Sequence, residues 1–508
     1  MKLTKLFFVA LFSFLLFSCS QDDGKISFTI LQINDVYEID AIQNNQFGGM
    51  ARVETLRQEL LEKDKNTLFM IAGDFLNPSL VGTMKYEGKK ISGRQMVEVM
   101  NAMNMDLAAF GNHEFDVKEH ELQERLNESN FPWISANVFH VRQEQKDTVA
   151  FYQERNGVKN EVKGSFIKEM TDEDGTTIKV GFISVCIPSN PKSHVHYTNM
   201  FDEIQEEYNS IKDQVDVVLG LTHVKVTEDE EIARLLPNIP LIMGGHEHTR
   251  KDRKVGNVII KKADANAKSA FIHTIRFDKA SQATSVDSQY KLIDSTVAFN
   301  ARIETIVKKW DSIMKKEITK VIDNPDEVIY HAKEPLEGRD TPIRSEQTNL
   351  GILIAESMSF SYDDQVDCSF TNGGGIRIDD VLEGEVRSID IFRVLPYGGS
   401  VYKVQMKGSL LIDVLNFGEK ARGTGAYLQR EKRITQENGS WMISGKTIQP
   451  NKTYTIATID FLLKGLDIPF LTKDHEGIVS IYQPKEDEKA YDVRKGVIEY
   501  MKKIDQAK

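Results

Sequence analysis

The first two-thirds of the chain alternates between short apolar runs and longer amphipathic stretches. That order constrains the fold more than any other feature. The strand-like runs are SFTILQIN (27–34), TLFMIAG (67–73), LAAFG (107–111), WISANVF (133–139), VGFISVCI (180–187), VDVVLGLTH (215–223) and PLIMGGH (240–246). Between several of them lie MARVETLRQELLEK (50–63), RQMVEVMNAMN (94–104) and EDEEIARLL (228–236), which carry helical spacing. Strand–helix–strand order predicts an α/β layered fold with a largely parallel or mixed sheet. Residues 150–180 read as an added hairpin with charged turns. At 508 residues the chain exceeds one hydrophobic core, so more than one domain is expected.

Residues 298–318 have another texture. Ile303, Ile306, Val307, Trp310, Ile313 and Met314 recur at helical spacing among lysines and glutamates. With no strand beside it, this helix reads as a connector to a second domain. The partition expected is a signal peptide at 1–19, a tether at 20–26, a first domain at 27–297, a linker helix at 298–324 and a second domain at 325–508.

The strand ends carry the chemistry. Five runs each finish in hard-ligand or imidazole side chains: Asn34-Asp35, Gly73-Asp74, Gly111-Asn112-His113-Glu114-Phe115-Asp116, Thr222-His223 and Gly244-Gly245-His246-Glu247-His248. Sites in open α/β sheets form at the carboxyl ends of the strands. Converging there, these segments would assemble Asp35, Asp74, Asn112, His223, His246 and His248. In extended backbone, His246 and His248 would face one side and Glu247 the other. Mixed nitrogen and oxygen ligands suit Zn, Mn or Fe better than Mg or Ca. Six ligands exceed one tetrahedral ion, so two metals are the natural count, with Asp74 as the bridging acid.

These segments resemble the calcineurin-like metallophosphatases, whose pattern is D-x-H, GD, GNHE, a lone His and GH-x-H. GNHEFD, GGHEH and the second domain more closely resemble the 5′-nucleotidase family, over nearly the whole mature chain. That family includes bacterial UDP-sugar hydrolases and animal ecto-5′-nucleotidase. The resemblance implies a four-layer α/β/β/α metallophosphatase domain joined by a helix to a second α/β nucleotide-binding domain. It implies that Asp35, Asp74 and His248 hold one metal and Asp74, Asn112, His223 and His246 the other. His113 would face the scissile phosphate with Asp116 behind it. Two ions about 3.5–4 Å apart would activate a bridging hydroxide for in-line attack, and His113 would protonate the leaving oxygen.

The second domain resembles the family's substrate reader. Asn372, Gly374 and Arg377 lie in TNGGGIR, where glycines allow close backbone approach and the arginine can fork onto phosphate. Arg344 falls on a phosphate-binding arginine of the family. Arg339 lies near a second, with spacing that differs by one residue. Tyr397 in LPYGG and Phe461 in TIDFLLKGLD match the aromatics that stack on the base, and Asp467 matches an acid nearby. Leu466 and Ile468 stand where the family has glycines. The resemblance also implies that the second domain rotates to carry the nucleotide to the metals.

Tyr37 departs from the pattern, because it stands where the family has a histidine. A neutral phenol, with a pKa of about 10, is a poor ligand for a divalent ion. Tyr37 would ligate a harder ion as phenolate, or hydrogen-bond to metal-bound water. The first site should then bind Zn more weakly than its partner, or select a different metal.

The N-terminus gives the address. Met1–Lys5 is basic, and Leu6–Phe17 is apolar but too short for a comfortable span. The run ends in LFSC, which resembles a bacterial lipobox with Cys19 as the lipidated residue; a plain secretory cut near Ser18–Ser20 is the alternative. A lipid anchor in the cell envelope is expected, facing either the periplasm or the exterior. Cys186 and Cys368 sit in apolar runs and read as buried free thiols. The net charge of −12 disfavours nucleic acid as partner, and no obligate protein partner is expected. The activity implied is removal of the 5′-phosphate from extracytoplasmic nucleotides. Within the same chemistry stand a 2′,3′-cyclic phosphodiesterase with 3′-nucleotidase activity and a UDP-sugar pyrophosphatase. Outside it stands a catalytically weak nucleotide-binding lipoprotein.

Overall fold

The structure is a computed structural model that describes residues 22–43, 45–189 and 192–507. The expected signal peptide, with Cys19, lies outside the described residues.

Two six-stranded sheets build the first domain. One runs in the order Ala283–Leu292, Ser269–Asp278, Lys25–Ile33, Thr67–Ile71, Leu107–Ala109 and Trp133–Ile134. From Lys25–Ile33 to Trp133–Ile134 its strands are parallel. The other runs Ser165–Thr171, Thr177–Ile183, Val217–Thr222, Leu241–Gly244, Val258–Lys262 and Lys251–Val255. Its four inner strands are parallel.

Strand alternation sets the layers. Phe28, Ile30, Leu68 and Met70 meet Val180, Phe182, Leu219, Leu221 and Met243 in a core between the sheets. Leu31, Ile33, Phe69 and Ile71 point the other way, onto the helices Met50–Lys63 and Arg94–Ala102. The far face of the second sheet is covered by the helices Met200–Ile211 and Val226–Leu235 through Ile204, Ile211, Ile232 and Ala233. The result is a four-layer α/β/β/α sandwich, as the resemblance implies.

Two readings of local structure change. In place of one hairpin, residues 150–183 hold two hairpin pairings, Tyr152–Arg155 with Val158–Glu161 and Ser165–Thr171 with Thr177–Ile183. WISANVF breaks into Trp133–Ile134 and Val138–Arg142, because Asn137 turns its amide onto the backbone of Cys186.

The helix Ala301–Ile318 buries Ile303, Val307, Trp310, Met314 and Ile318. It packs on the outer helices of the first domain, with Trp310 Nε1 donating to Glu98 at 3.0 Å and Arg302 paired with Glu54 at 2.8 Å. The second domain centres on a five-stranded sheet in the order Leu428–Arg430, Cys368–Asn372, Thr453–Ile459, Val401–Lys407 and Ile478–Tyr482. Helices Asn349–Phe360, Gly408–Lys420 and Val493–Gln506 cover it. Cys186 and Cys368 are buried free thiols.

Candidate active site

Five parallel strands, three in one sheet and two in the other, end at one place. Asp35 and Asp74 follow Lys25–Ile33 and Thr67–Ile71, and Asn112 follows Leu107–Ala109. His223 ends the second sheet's Val217–Thr222, and His246 and His248 follow Leu241–Gly244. One oxygen or nitrogen each of Asp35, Asp74 and His248 lie within 4.8 Å of one another. His223 Nε2 stands 3.1 Å from Asp74 Oδ2 and 3.9 Å from Asp35 Oδ1. The rings of His223 and His246 are edge to face, 5.5 Å between centroids.

The reason His246 and His248 both reach the centre differs from the expectation. The strand stops at Gly244, and neither histidine is extended; their φ angles are +89° and +53°. Asp35 and Asp74 share the left-handed region at +54° and +59°. Such backbone costs on the order of 1–3 kcal/mol per non-glycine residue and persists only where the surroundings fix it. Glu247 does turn away, to Lys262 Nζ at 2.6 Å. The adjoining glycines act by close approach: a Cβ at Gly245 would collide with the Ala72 carbonyl, and one at Gly111 with the Asp74 carboxylate.

The surroundings that fix this backbone were missed in the sequence. Glu114 is buried and accepts four backbone N–H groups, from Asp74 (2.9 Å), Phe75 (2.7 Å), Leu76 (3.2 Å) and Gly111 (2.6 Å). Burial and the Asp74 charge push its carboxyl up to about 7, against those four donors. Lys262, also buried, donates to the carbonyls of Val224 (2.5 Å) and Gly245 (2.8 Å) and pairs with Asp229 at 2.8 Å. It thereby ties the His223 loop to the His246–His248 loop. The only sequence signal for this brace was a lysine pair closing the apolar run VII.

Three of the four imidazoles are oriented through their Nδ1. His223 Nδ1 donates to the Ala72 carbonyl at 2.7 Å, so Nε2 faces the carboxylates. His113 Nδ1 bonds Asp116 Oδ2 at 2.6 Å, and Lys192 holds the other Asp116 oxygen at 3.0 Å. The His113 backbone N–H donates to Asp74 Oδ1 at 2.8 Å. His248 Nδ1 bonds Asp379, a residue of the second domain.

Electrostatics follow from burial and these partners. Burial pushes His246 down to about 3, helped by the charge on His223, so His246 is a neutral imidazole. Burial also opposes charge on His223, but the Asp74 and Asp35 carboxylates outweigh it and push its pKa up to about 9. For Asp116, burial raises the pKa, and His113 and Lys192 overcome it to hold the carboxyl below its ordinary range.

Metal ions fit this donor set. Asn112 Oδ1 is buried without a hydrogen-bond partner, as an atom awaiting a Lewis acid would be, and His223 Nε2 is aimed at the carboxylates that would share a metal with it. Tyr37 is buried, and its hydroxyl lies 2.9 Å from His248 Nε2, 3.2 Å from Asp74 and 3.5 Å from Asp35. Burial and the two carboxylates push its pKa well up, so it is a neutral phenol inside the triangle of Asp35, Asp74 and His248.

The second domain faces this centre. Arg377 interacts electrostatically with both Tyr37 and Asp116. Arg344 is paired with Asp340 at 2.7 Å, leaving its Nε buried and unpartnered. Arg339 does not join them; it is exposed and its guanidinium is taken by Glu337. Asn372 Nδ2 donates to Asp467 at 2.7 Å, and Gly374 packs against Gly425. Tyr397 is 54% exposed and Phe461 half-buried. A cavity of about 420 Å³ between the domains has Tyr37 and Arg377 in its wall.

Comparison with known proteins agrees with this architecture. The calcineurin-like phosphoesterase model matches residues 28–250, and the 5′-nucleotidase C-terminal domain model matches 328–473. Human 5′-nucleotidase is 26% identical over 458 residues, covering 80% of this chain and 74% of that one. The 5′-nucleotidase of Vibrio cholerae is 26% identical over 514 residues, covering 90% and 88%. The trifunctional nucleotide phosphoesterase of Bacillus subtilis is 25% identical over 490 residues, covering 88% of this chain and 32% of that one. The crystal structure of a 5′-nucleotidase precursor from Thermus thermophilus shares the fold, with a TM-score of 0.70 at 20% identity over 94% of this chain and 97% of that one. Calcineurin-like phosphoesterases work with a dinuclear metal centre, and both domains are matched in order along one chain; the protein therefore belongs to the 5′-nucleotidase family and is a hydrolase of the metallophosphoesterase class.

Proposed function

We propose that this protein removes the 5′-phosphate from nucleotides outside the cytoplasm, for nucleotide breakdown and salvage, from a lipid-anchored position in the cell envelope. The observation that carries the reading is the meeting of Asp35, Asp74, His223 and His248 at one buried point, with Arg377 brought against it by the second domain. Cys19 is the proposed lipid attachment. None of the helices among the described residues is long and apolar enough to cross a membrane.

Asp35, Asp74 and His248 would hold one ion, and Asp74, Asn112, His223 and His246 the other. When bound, two ions of the Zn, Mn or Fe class supply Lewis acidity that activates water and polarises the phosphoryl group. Arg377 and Arg344 bring fixed positive charge to the phosphate, which guanidinium geometry suits. His113, oriented by Asp116, protonates the leaving oxygen, and Lys192 steadies Asp116 for that task. Tyr397 and Phe461 offer ring faces to the base. The Asn372–Asp467 pair offers donors and acceptors to the sugar. With Tyr37 where a histidine would complete the first site, that site favours an ion other than Zn or binds Zn weakly.

The test is phosphate release by the mature chain lacking Cys19, supplied with Mn, Zn or Fe, from AMP, UMP, 2′,3′-cyclic nucleotides and UDP-glucose. The wider panel is warranted by the similarity to a trifunctional phosphoesterase. Fastest release from 5′-mononucleotides supports the reading. Fastest cleavage of a cyclic nucleotide or of UDP-glucose would change the substrate and keep the chemistry. No turnover of any substrate with metal bound would overturn the enzyme and leave a nucleotide-binding lipoprotein.

A further inference from the structure

Three imidazoles at the centre are held by their Nδ1 atoms. Two find their acceptors within the first domain: His223 on the Ala72 carbonyl, and His113 on Asp116. The third does not. His248, on the loop after Leu241–Gly244, bonds Asp379 of the second domain.

Asp379 is built for this contact. It follows Arg377 by two residues in the segment after the glycine run, so one loop delivers both side chains to the centre. Its φ is +46°, and its other oxygen accepts the Asp340 backbone N–H at 2.7 Å. The carboxylate is thus fixed from its own domain before it meets His248. The next residue also crosses between domains: Asp380 accepts Gln43 Nε2 at 2.9 Å and lies 3.7 Å from Lys268 Nζ. The Asp379-Asp380 pair is a clasp with two different roles. Asp380 joins surfaces, whereas Asp379 reaches a proposed metal ligand.

We propose that Asp379 is a positioning residue for the first metal: accepting from His248 Nδ1, it fixes the ring and presents Nε2, so that the second domain completes the metal site. This rests on the proposed metallophosphatase reading. Carboxylates behind ligating histidines orient the ring and raise its basicity, and their loss weakens metal binding about 10–100-fold. Linkage makes the coupling reciprocal, so metal binding also favours docking of the two domains.

The experiment is calorimetric titration of metal-free full-length mature protein with Mn²⁺ or Zn²⁺, comparing wild type, Asp379→Asn and Asp380→Asn. Thermal melts of the three check that each is folded. The inference expects two sites in wild type, and in Asp379→Asn one of them weakened about 10–100-fold with the other unchanged. It expects Asp380→Asn to keep both sites within about threefold of wild type, a far smaller change than the loss of the histidine's carboxylate. Equal affinities in wild type and Asp379→Asn would overturn this inference and leave the functional reading standing. An equal loss in Asp379→Asn and Asp380→Asn would also overturn it, because general docking would then be the cause. Wild-type protein that takes up no metal would overturn the functional reading, and this inference with it.

Discussion

At Tyr37 a single hydroxyl lies within 3.5 Å of three proposed ligands, Asp35, Asp74 and His248. A residue merely filling space there would not need its oxygen at that point. Tyr37→His is expected to raise the Zn affinity of the weaker site, and Tyr37→Phe to leave it unchanged or lower, both read by metal titration. If both variants match the parent, Tyr37 is packing only. His113 meets the other Asp74 oxygen, through its backbone N–H rather than its ring. His113→Ala should therefore keep both metals and lose turnover by a factor of about 10²–10⁴, the usual worth of a general acid. Full activity in that variant would remove the acid role from His113.

Between elements, the ligand loops are braced by groups that contact no ligand atom. Lys262 is one, its charge enclosed by Asp229 and Glu247. Lys262→Met would leave those carboxylates without their cation, a loss of about 3–5 kcal/mol for a broken buried pair. Denaturant unfolding measures it, and a loss below about 1 kcal/mol, the worth of a surface pair, would contradict the assignment. A second brace runs between the sheets: His273 Nε2 bonds Gln32 Oε1 at 2.8 Å, and Gln32 Nε2 donates to the carbonyls of Gly244 and Lys261. Burial pushes His273 down to about 3, so the folded chain keeps it neutral. The unfolded chain protonates it below about pH 6.5. Stability from this group is complete above that pH and is lost as pH falls from about 6.5 toward 3, amounting to roughly 2 kcal/mol at pH 5. Unfolding at pH 7 and pH 5 should show this loss in wild type and its absence in His273→Gln. Equal acid sensitivity in the two would refute it.

The strand ends that carry the proposed ligands were legible, because an apolar run that stops at Asp or His marks both the strand and the polar group it delivers. The left-handed backbone at Asp35, Asp74, His246 and His248 was not legible, since none of these is a glycine. Nor were Glu114 and Lys262, because periodicity tells which way a side chain faces and not what it meets.

At the scale of the whole molecule, the two domains were visible in the sequence as a change of texture at the amphipathic helix. The contact between them was not, because Asp379 in the IRIDD stretch carries no local sign that it reaches a histidine 131 residues away. Two sheets supply the proposed metal ligands, and a separate domain supplies the arginines and aromatic faces proposed to meet the substrate. The measurement that tests this account most directly is phosphate release from AMP by the full mature chain, first stripped of metal with a chelator and then reloaded with Mn or Zn. The account predicts no turnover in the stripped protein and its return as two ions bind per chain. Equal turnover in stripped and reloaded protein would contradict it.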